Sequence, residues 1–224
     1  GDPINAVKIF NEKEVDELIF LDISATLEKR EPPYKVLSEI ASECFMPVTY
    51  GGGVRDVETI RKILSLGIEK VAINSYAVEN QEFIRVAADK FGSSTIVVSI
   101  DARKKMFGRY EVFIHGGKKS TGLDPVEFAS AMEAMGAGEI LLTAIDRDGT
   151  QEGYDLDLIK KVTEAVNVPV VACGGAGKLD DFRLAVKEAS ASACAAGSMV
   201  VYFGRNRAVL ITFPEREKLE EVLK

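Results

Sequence analysis

Short apolar runs alternate with longer amphipathic segments along most of this sequence. The runs are nearly continuous in apolar residues, which is typical of strands covered on both faces of a parallel sheet. The predicted strands are 17–22, 47–50, 70–74, 95–101, 139–145, 169–173 and 191–196. The intervening segments predict helices at 4–14, 57–66, 80–91, 125–135, 155–165 and 179–189. Residues 110–114 predict an additional hairpin arm after the strand at 95–101.

The second half of the sequence repeats the first. Glu17 aligns with Glu139 and Gly53 with Gly175, both 122 positions apart, and Ser75 aligns with Ser198 at 123 positions. One register therefore serves three separate segments, which indicates two copies of a strand-and-helix module. We predict one α/β domain over 1–224, a (β/α)8 TIM barrel with half-barrels of about 1–94 and 95–224.

The pattern supplies seven strands, one fewer than an eight-stranded barrel needs. The strand at 95–101 opens the second half, and its counterpart in the first half would precede Gly1. Strand 1 is therefore expected to be absent from this chain. A truncation or an omitted loop is favoured over a true seven-stranded variant.

Composition excludes several classes of function. The net charge of −7 and a pI near 5.0 argue against a nucleic-acid partner. No apolar run reaches the roughly 18 residues that a membrane helix needs. The three cysteines are scattered and there is one histidine, so neither a disulfide framework, a metal site nor another cofactor is expected, and a cytoplasmic location is predicted.

Glycine-rich turns and small polar residues follow four predicted strands. They are 51–53, 74–75, 174–177 and 197–198. Glycines at the carboxyl ends of barrel strands let backbone N–H groups approach an anion, although tight turns also require glycine. Because the same residue types recur at matched offsets, we favour two phosphate sites on opposite sides of one mouth. Such a pair predicts a substrate phosphorylated at both ends.

Charged residues are predicted at both ends of the barrel. Asp101 would point into the mouth, where a general acid or base belongs, unless it only caps the following turn. Glu17, Lys70 and Glu139 each begin a strand at the opposite end. They are either solvated strand starts or a ring of mixed charge that closes the barrel floor.

These residues together resemble the histidine-biosynthesis barrels, specifically the cyclase subunit of imidazole glycerol phosphate synthase. The resemblance runs from residue 1 to about 200. The most specific stretch is Leu-Leu-Thr-Ala-Ile-Asp-Arg-Asp-Gly-Thr at 141–150, supported by Gly-Gly-Gly-Val at 51–54 and Ile-Asp-Ala at 100–102.

The resemblance implies a lyase that cleaves and cyclises a phosphoribulosyl-formimino aminoimidazole carboxamide ribonucleotide. Its ammonia would come from a glutaminase subunit docked on the amino-terminal face of the barrel. Asp101 would be one of two catalytic aspartates, the other belonging to strand 1. One phosphate site would comprise Gly53, Asn74 and Ser75, and the other Gly149, Gly175, Gly197 and Ser198. Glu17, Lys70 and Glu139 would be three of four residues of an ammonia gate.

The sequence departs from the histidine enzymes after Ser198. Two apolar runs over 199–213 predict a hairpin, which resembles paralogues in surface-polysaccharide clusters that serve acetamido-to-acetamidino sugar conversion. Gly116 also stands where the histidine enzymes usually carry serine. An ammonia-supplying accessory barrel is therefore the first alternative, and a non-catalytic phosphate-binding barrel is the second.

Overall fold

The structure, a computed structural model, describes residues 3–204 and 206–224. The strands are β1 (Leu18–Leu21), β2 (Val48–Gly51), β3 (Lys70–Ile73), β4 (Ile96–Lys104), β5 (Tyr110–Ile114), β6 (Lys119–Ser120), β7 (Glu139–Ala144), β8 (Val170–Cys173), β9 (Ala193–Cys194), β10 (Tyr202–Phe203) and β11 (Ala208–Val209). The helices are α1 (Pro3–Glu12), α2 (Ala25–Glu28), α3 (Tyr34–Glu43), α4 (Val57–Ser65), α5 (Ser75–Glu79), α6 (Glu82–Phe91), α7 (Pro125–Ala134), α8 (Leu156–Thr163), α9 (Leu179–Lys187), α10 (Ser198–Val201) and α11 (Arg216–Leu223). Residues 1, 2 and 205, which fall within the predicted domain and its predicted tail hairpin, lie outside the described residues.

The strands form one curled sheet in the order β1-β2-β3-β4-β7-β8-β9, and every neighbouring pair on this path is parallel. Helices separate successive strands of this path. The predicted fold class, an α/β barrel of the TIM type, is confirmed.

The apolar runs have no polar face because both sides of the sheet are covered. On β3, Val71 and Ile73 belong to the large core between the sheet and the helices, whereas Ala72 faces the lumen. The lumen cluster combines Ala72 with Val97, Leu141 and Val171. Alternate residues of each strand thus fill two different apolar layers, as the twofold periodicity of a strand requires.

Strand β4 extends three residues beyond the predicted end at Asp101. The antiparallel arm explains the extension, because β5 pairs with β4 from Asp101 to Lys104. Asp101 therefore does not end its strand. It lies where β4 leaves the barrel wall and enters the arm.

The tail hairpin is shorter than the predicted span of 199–213. Residues up to Val201 belong to helix α10, and the paired strands are β10 and β11, with Tyr202 opposite Val209. Backbone hydrogen bonds from Leu210 to Val201 and from Thr212 to Val200 hold the returning strand against α10. Helix α11, which the sequence pattern did not predict, follows.

The described helices are all too short or too polar to cross a membrane.

Candidate active site at the carboxyl rim

Asp101 lies at the carboxyl ends of the barrel strands, here called the carboxyl rim. It shares a face of β4 with Val97 of the lumen cluster, so its side chain points to the mouth of the lumen. Burial raises the pKa of Asp101 to about 6, a hydrogen bond with Asn74 partly offsets that rise, and the charge of Asp148 adds to it. The rim therefore holds a carboxyl group that can both bind and release a proton near neutral pH.

Asn74 connects Asp101 to the first predicted phosphate site. Its amide nitrogen donates to the Ser99 carbonyl at 3.0 Å, and its amide oxygen accepts from the Ser75 hydroxyl at 3.1 Å. The Ser75 hydroxyl also accepts the backbone N–H of His115, which follows β5, at 3.0 Å. The arm is thus tied to the same cluster as Asp101.

Gly53, Asn74 and Ser75 line one cavity of about 40 Å³. Gly53 has a φ of 68°, and a Cβ there would lie 2.8 Å from the Arg30 carbonyl oxygen. Glycine is consequently required for loop packing, whatever the cavity binds. The structure brings together all three residues predicted for the first phosphate site.

Asp22 also lies at the rim but has a different environment from Asp101. Its carboxylate accepts hydrogen bonds from the Arg30 guanidinium at 3.1 and 3.2 Å. Burial raises the pKa of Asp22, but the Arg30 hydrogen bonds and charge outweigh burial and hold it below its usual value. Asp22 orders the loop over the first cavity and is not a titrating group near neutral pH.

The second predicted phosphate site brings Gly149 and Ser198 together. A Cβ on Gly149 would lie 3.6 Å from the Ser198 hydroxyl oxygen, and the space beside Gly197 is open. Gly175 has a φ of 113° and a Cβ there would overlap the Gly153 carbonyl oxygen, so the loop carrying Gly153 packs directly on Gly175.

Sequence reasoning missed a residue at this site. The Arg207 guanidinium, from the tail hairpin, donates to the Ser198 hydroxyl at 3.4 Å. Its identity as a cation was visible in the sequence, but its distance from Ser198 depends on how the hairpin folds back on α10.

Glu17, Lys70 and Glu139 meet at the opposite end of the sheet. The Lys70 ammonium donates to Glu17 at 2.9 Å and to Glu139 at 3.0 Å, and Thr49 donates to Glu17 at 2.6 Å. Burial lowers the pKa of Lys70, but the hydrogen bonds with the two glutamates raise it more. These side chains form one ion-paired group, the floor triad, and do not stand separately in solvent.

The lumen cluster lies between the floor triad and Asp101, and the buried hydroxyl residues Ser99 and Thr143 lie on the same face of the sheet. The partly buried residues packed against this cluster are Ile19, Cys173 and Ala195. Burial raises the pKa of the Cys173 thiol to about 11, although a hydrogen bond with Thr143 lowers it somewhat. The thiol is therefore protonated at neutral pH and is unsuited to nucleophilic chemistry.

The part of the chain that the structure describes contains no group of three or more His, Cys, Asp or Glu side chains able to hold a metal ion. At the rim the Asp101 carboxyl group can transfer a proton, and polar groups of two glycine-rich turns lie beside it.

Comparison with known proteins gives consistent matches over nearly the whole chain. The family described as "Histidine biosynthesis protein" matches residues 1–206. A Pseudomonas aeruginosa protein named "Putative imidazole glycerol phosphate synthase subunit hisF2" is 50% identical, with 98% of this chain and 88% of the relative covered. A Leptospira interrogans protein named "Putative imidazole glycerol phosphate synthase subunit HisF" is 47% identical, with 98% of this chain and 87% of the relative covered. A Leptospira borgpetersenii protein of the same name is 46% identical, with 96% of this chain and 85% of the relative covered.

Proposed function

The chain belongs to the histidine biosynthesis protein family, and we propose that it acts as the ammonia-dependent cyclase subunit of an imidazole glycerol phosphate synthase. In this role it is a lyase that works on a substrate phosphorylated at both ends. A glutaminase subunit supplies the ammonia. The observation that carries the proposal is the inward-facing Asp101 carboxyl, whose pKa is about 6, at a rim that also bears two glycine-rich turns.

Asp101 is proposed as the general acid and base on this side of the substrate. A group with a pKa near the working pH is present in both protonation states and transfers a proton with little thermodynamic penalty. The Asn74 amide favours the charged form of the carboxyl group and the neighbouring Asp148 charge favours its protonated form. These contacts support proton transfer at the carboxyl oxygens.

The two phosphate groups are proposed to occupy the matched sites on either side of Asp101. Gly53, Asn74 and Ser75 line the first cavity. Its size suits a phosphate group and is too small for a whole nucleotide. In the second, the Ser198 hydroxyl and the open space at Gly197 face the Gly149 turn. Gly175 contributes to that site because it has no side chain and the loop carrying Gly153 can pack directly on it.

Ammonia is proposed to enter through the floor triad and to cross the largely apolar lumen to Asp101. Neutral ammonia passes an apolar channel at little cost, whereas ammonium must lose its hydration. Because Lys70 is held between Glu17 and Glu139, moving one lysine side chain would open the floor. We propose that the glutaminase docks on this amino-terminal face.

The tail hairpin favours a second candidate function. The described strands β10 and β11 form the hairpin that resembles the polysaccharide-cluster paralogues. In that role the same barrel and glutaminase would deliver ammonia to a separate amidotransferase acting on an acetamido sugar.

Complementation of a histidine auxotroph that lacks its cyclase separates the two candidates. The full-length gene, expressed with the matching glutaminase, is expected to restore growth, and Asp101→Asn is expected to abolish the rescue. Asp89→Asn, an exposed substitution on α6, is the matched control and should rescue like the wild type.

Failure of well-expressed wild-type protein to rescue would contradict the histidine function and favour sugar amidination. Rescue that persists in Asp101→Asn would contradict the catalytic role of Asp101.

A further inference from the structure

The Arg207 guanidinium lies against the second proposed phosphate site. One of its nitrogens is 3.4 Å from the Ser198 hydroxyl, and a Cβ on Gly149 would be 3.9 Å from the same nitrogen. Its guanidinium carbon also lies 4.9 Å from the centre of the Tyr202 ring. Within residues 3–204 and 206–224 it forms no ion pair with a carboxylate, whereas Arg30 and Arg183 both do.

The hairpin holds this side chain in a defined position. The Tyr202 ring lies against one face of the guanidinium, which leaves its edge free to donate hydrogen bonds. The backbone of Arg207 has a φ of 49°, a region that non-glycine residues seldom adopt. Such local strain persists where the surrounding structure holds it, and it is concentrated at ligand sites.

A positive charge would strengthen phosphate binding at the second site. Gly149, Gly197 and Ser198 offer neutral donors, and Asp148 adds a negative charge immediately beside Gly149. The whole chain carries a net charge of −7, so no general positive field assists a phosphate dianion. A guanidinium can meet two phosphate oxygens with parallel N–H bonds and offset the nearby carboxylate.

We propose that Arg207 is a phosphate ligand of this site, binding a terminal phosphomonoester together with Ser198. The inference rests on the proposed function, because it assigns a residue to one of the two proposed phosphate sites. It gives the tail hairpin a direct role in substrate binding. Sequences with a short turn and helix in place of the hairpin would hold this phosphate without such a guanidinium.

An NMR titration of the full chain with inorganic phosphate tests the proposal. The amide signals of Gly149, Gly197 and Ser198 report the second site, and those of Gly53 and Ser75 report the first within the same sample. Arg207→Gln is expected to raise the phosphate dissociation constant at the second site about 10-fold and to leave the first unchanged. Arg207→Lys, which keeps the charge but loses the planar fork, should give an intermediate effect.

Arg216→Gln on α11 is the matched control, because Arg216 is exposed and pairs with Glu220. It should leave both sites unchanged. Equal phosphate binding at the second site in wild type, Arg207→Gln and Arg207→Lys would overturn the role of Arg207 while leaving the two-site proposal intact. If phosphate moves neither set of signals in the wild type, the two-phosphate function fails and the role of Arg207 fails with it.

Discussion

Two aspartates at the rim show how local contacts decide the chemistry of a carboxyl group. Both are withdrawn from water, and burial pushes the pKa of each upward. For Asp22 the Arg30 guanidinium outweighs burial, so the carboxylate stays charged. For Asp101 a single amide, Asn74, offers weaker compensation, and the pKa stays raised at about 6. One residue orders a loop and the other can exchange a proton.

This contrast gives opposite effects of pH on stability. The folded-state pKa of Asp101 lies above its ordinary value of 3.8, so its ionisation costs stability progressively as pH rises from about 4 to about 6. Asp101→Asn should therefore stabilise the protein at pH 7, by up to about 3 kcal/mol, and have little effect near pH 4. Urea unfolding at both pH values measures the difference.

Asp22→Asn provides the comparison of opposite sign. The pKa of Asp22 is lowered, so its contribution is present at pH 7 and disappears as pH falls through that pKa. Asp22→Asn should therefore destabilise the folded protein at pH 7. A loss of stability in Asp101→Asn at pH 7 would contradict the raised pKa assigned to Asp101.

The sequence predicted that Asp101 would face the mouth, because strand periodicity and barrel geometry fix that direction. It could not predict the different pKa values of Asp22 and Asp101. Those depend on Arg30, which reaches back across a loop, and on Asn74 from another strand. For the same reason Arg207 was missed, since its contact with Ser198 requires the folded hairpin.

At the scale of elements, helix α8 and the β5 arm are joined through one capping residue. Asp155 is buried and accepts the Leu158 N–H at 3.1 Å and the Tyr110 hydroxyl at 2.8 Å. Helix α4 has an exposed cap of the simpler kind, in which Asp56 accepts the Thr59 N–H at 2.7 Å. The same residue type therefore caps one helix alone and, in the other, also fixes the arm.

Asp155→Ala should consequently destabilise more than Asp56→Ala. The exposed cap is expected to be worth about 1 kcal/mol. Removing Asp155 also leaves the buried Tyr110 hydroxyl without its acceptor, so a loss of about 2–4 kcal/mol is expected. Urea unfolding of the two variants measures both. Equal losses would contradict the added role of Asp155 in holding the arm.

Most strands could be predicted because an apolar run bounded by polar turns is a local signal. The extension of β4 could not, since it depends on pairing with β5. Helix α3 did carry a local signal that was overlooked: Leu37 and Ile40 are buried at helical spacing after Pro32 and Pro33. The short segments of α10 and β10 are decided by tertiary contacts.

At the scale of the whole molecule, the repeat distributes chemistry to the two ends of one sheet. The floor triad joins strands from both halves, because Glu17 precedes β1, Lys70 begins β3 and Glu139 begins β7. The first predicted phosphate site lies in the first half of the sequence, and the second lies in the second half. This arrangement could be predicted from the register of the repeat. The distances from the Lys70 ammonium to the Glu17 and Glu139 carboxylates could come only from the folded structure.

The central claim is that Asp101 transfers a proton during ammonia-dependent cyclisation. Turnover of the bisphosphorylated formimino ribonucleotide by the full-length protein, with an ammonium salt as nitrogen source and no glutaminase, tests it most directly. The account predicts turnover by the wild type and by Asp89→Asn, and a loss of at least about 100-fold in Asp101→Asn. Turnover by Asp101→Asn at the wild-type rate, or none by folded wild-type protein, would contradict it.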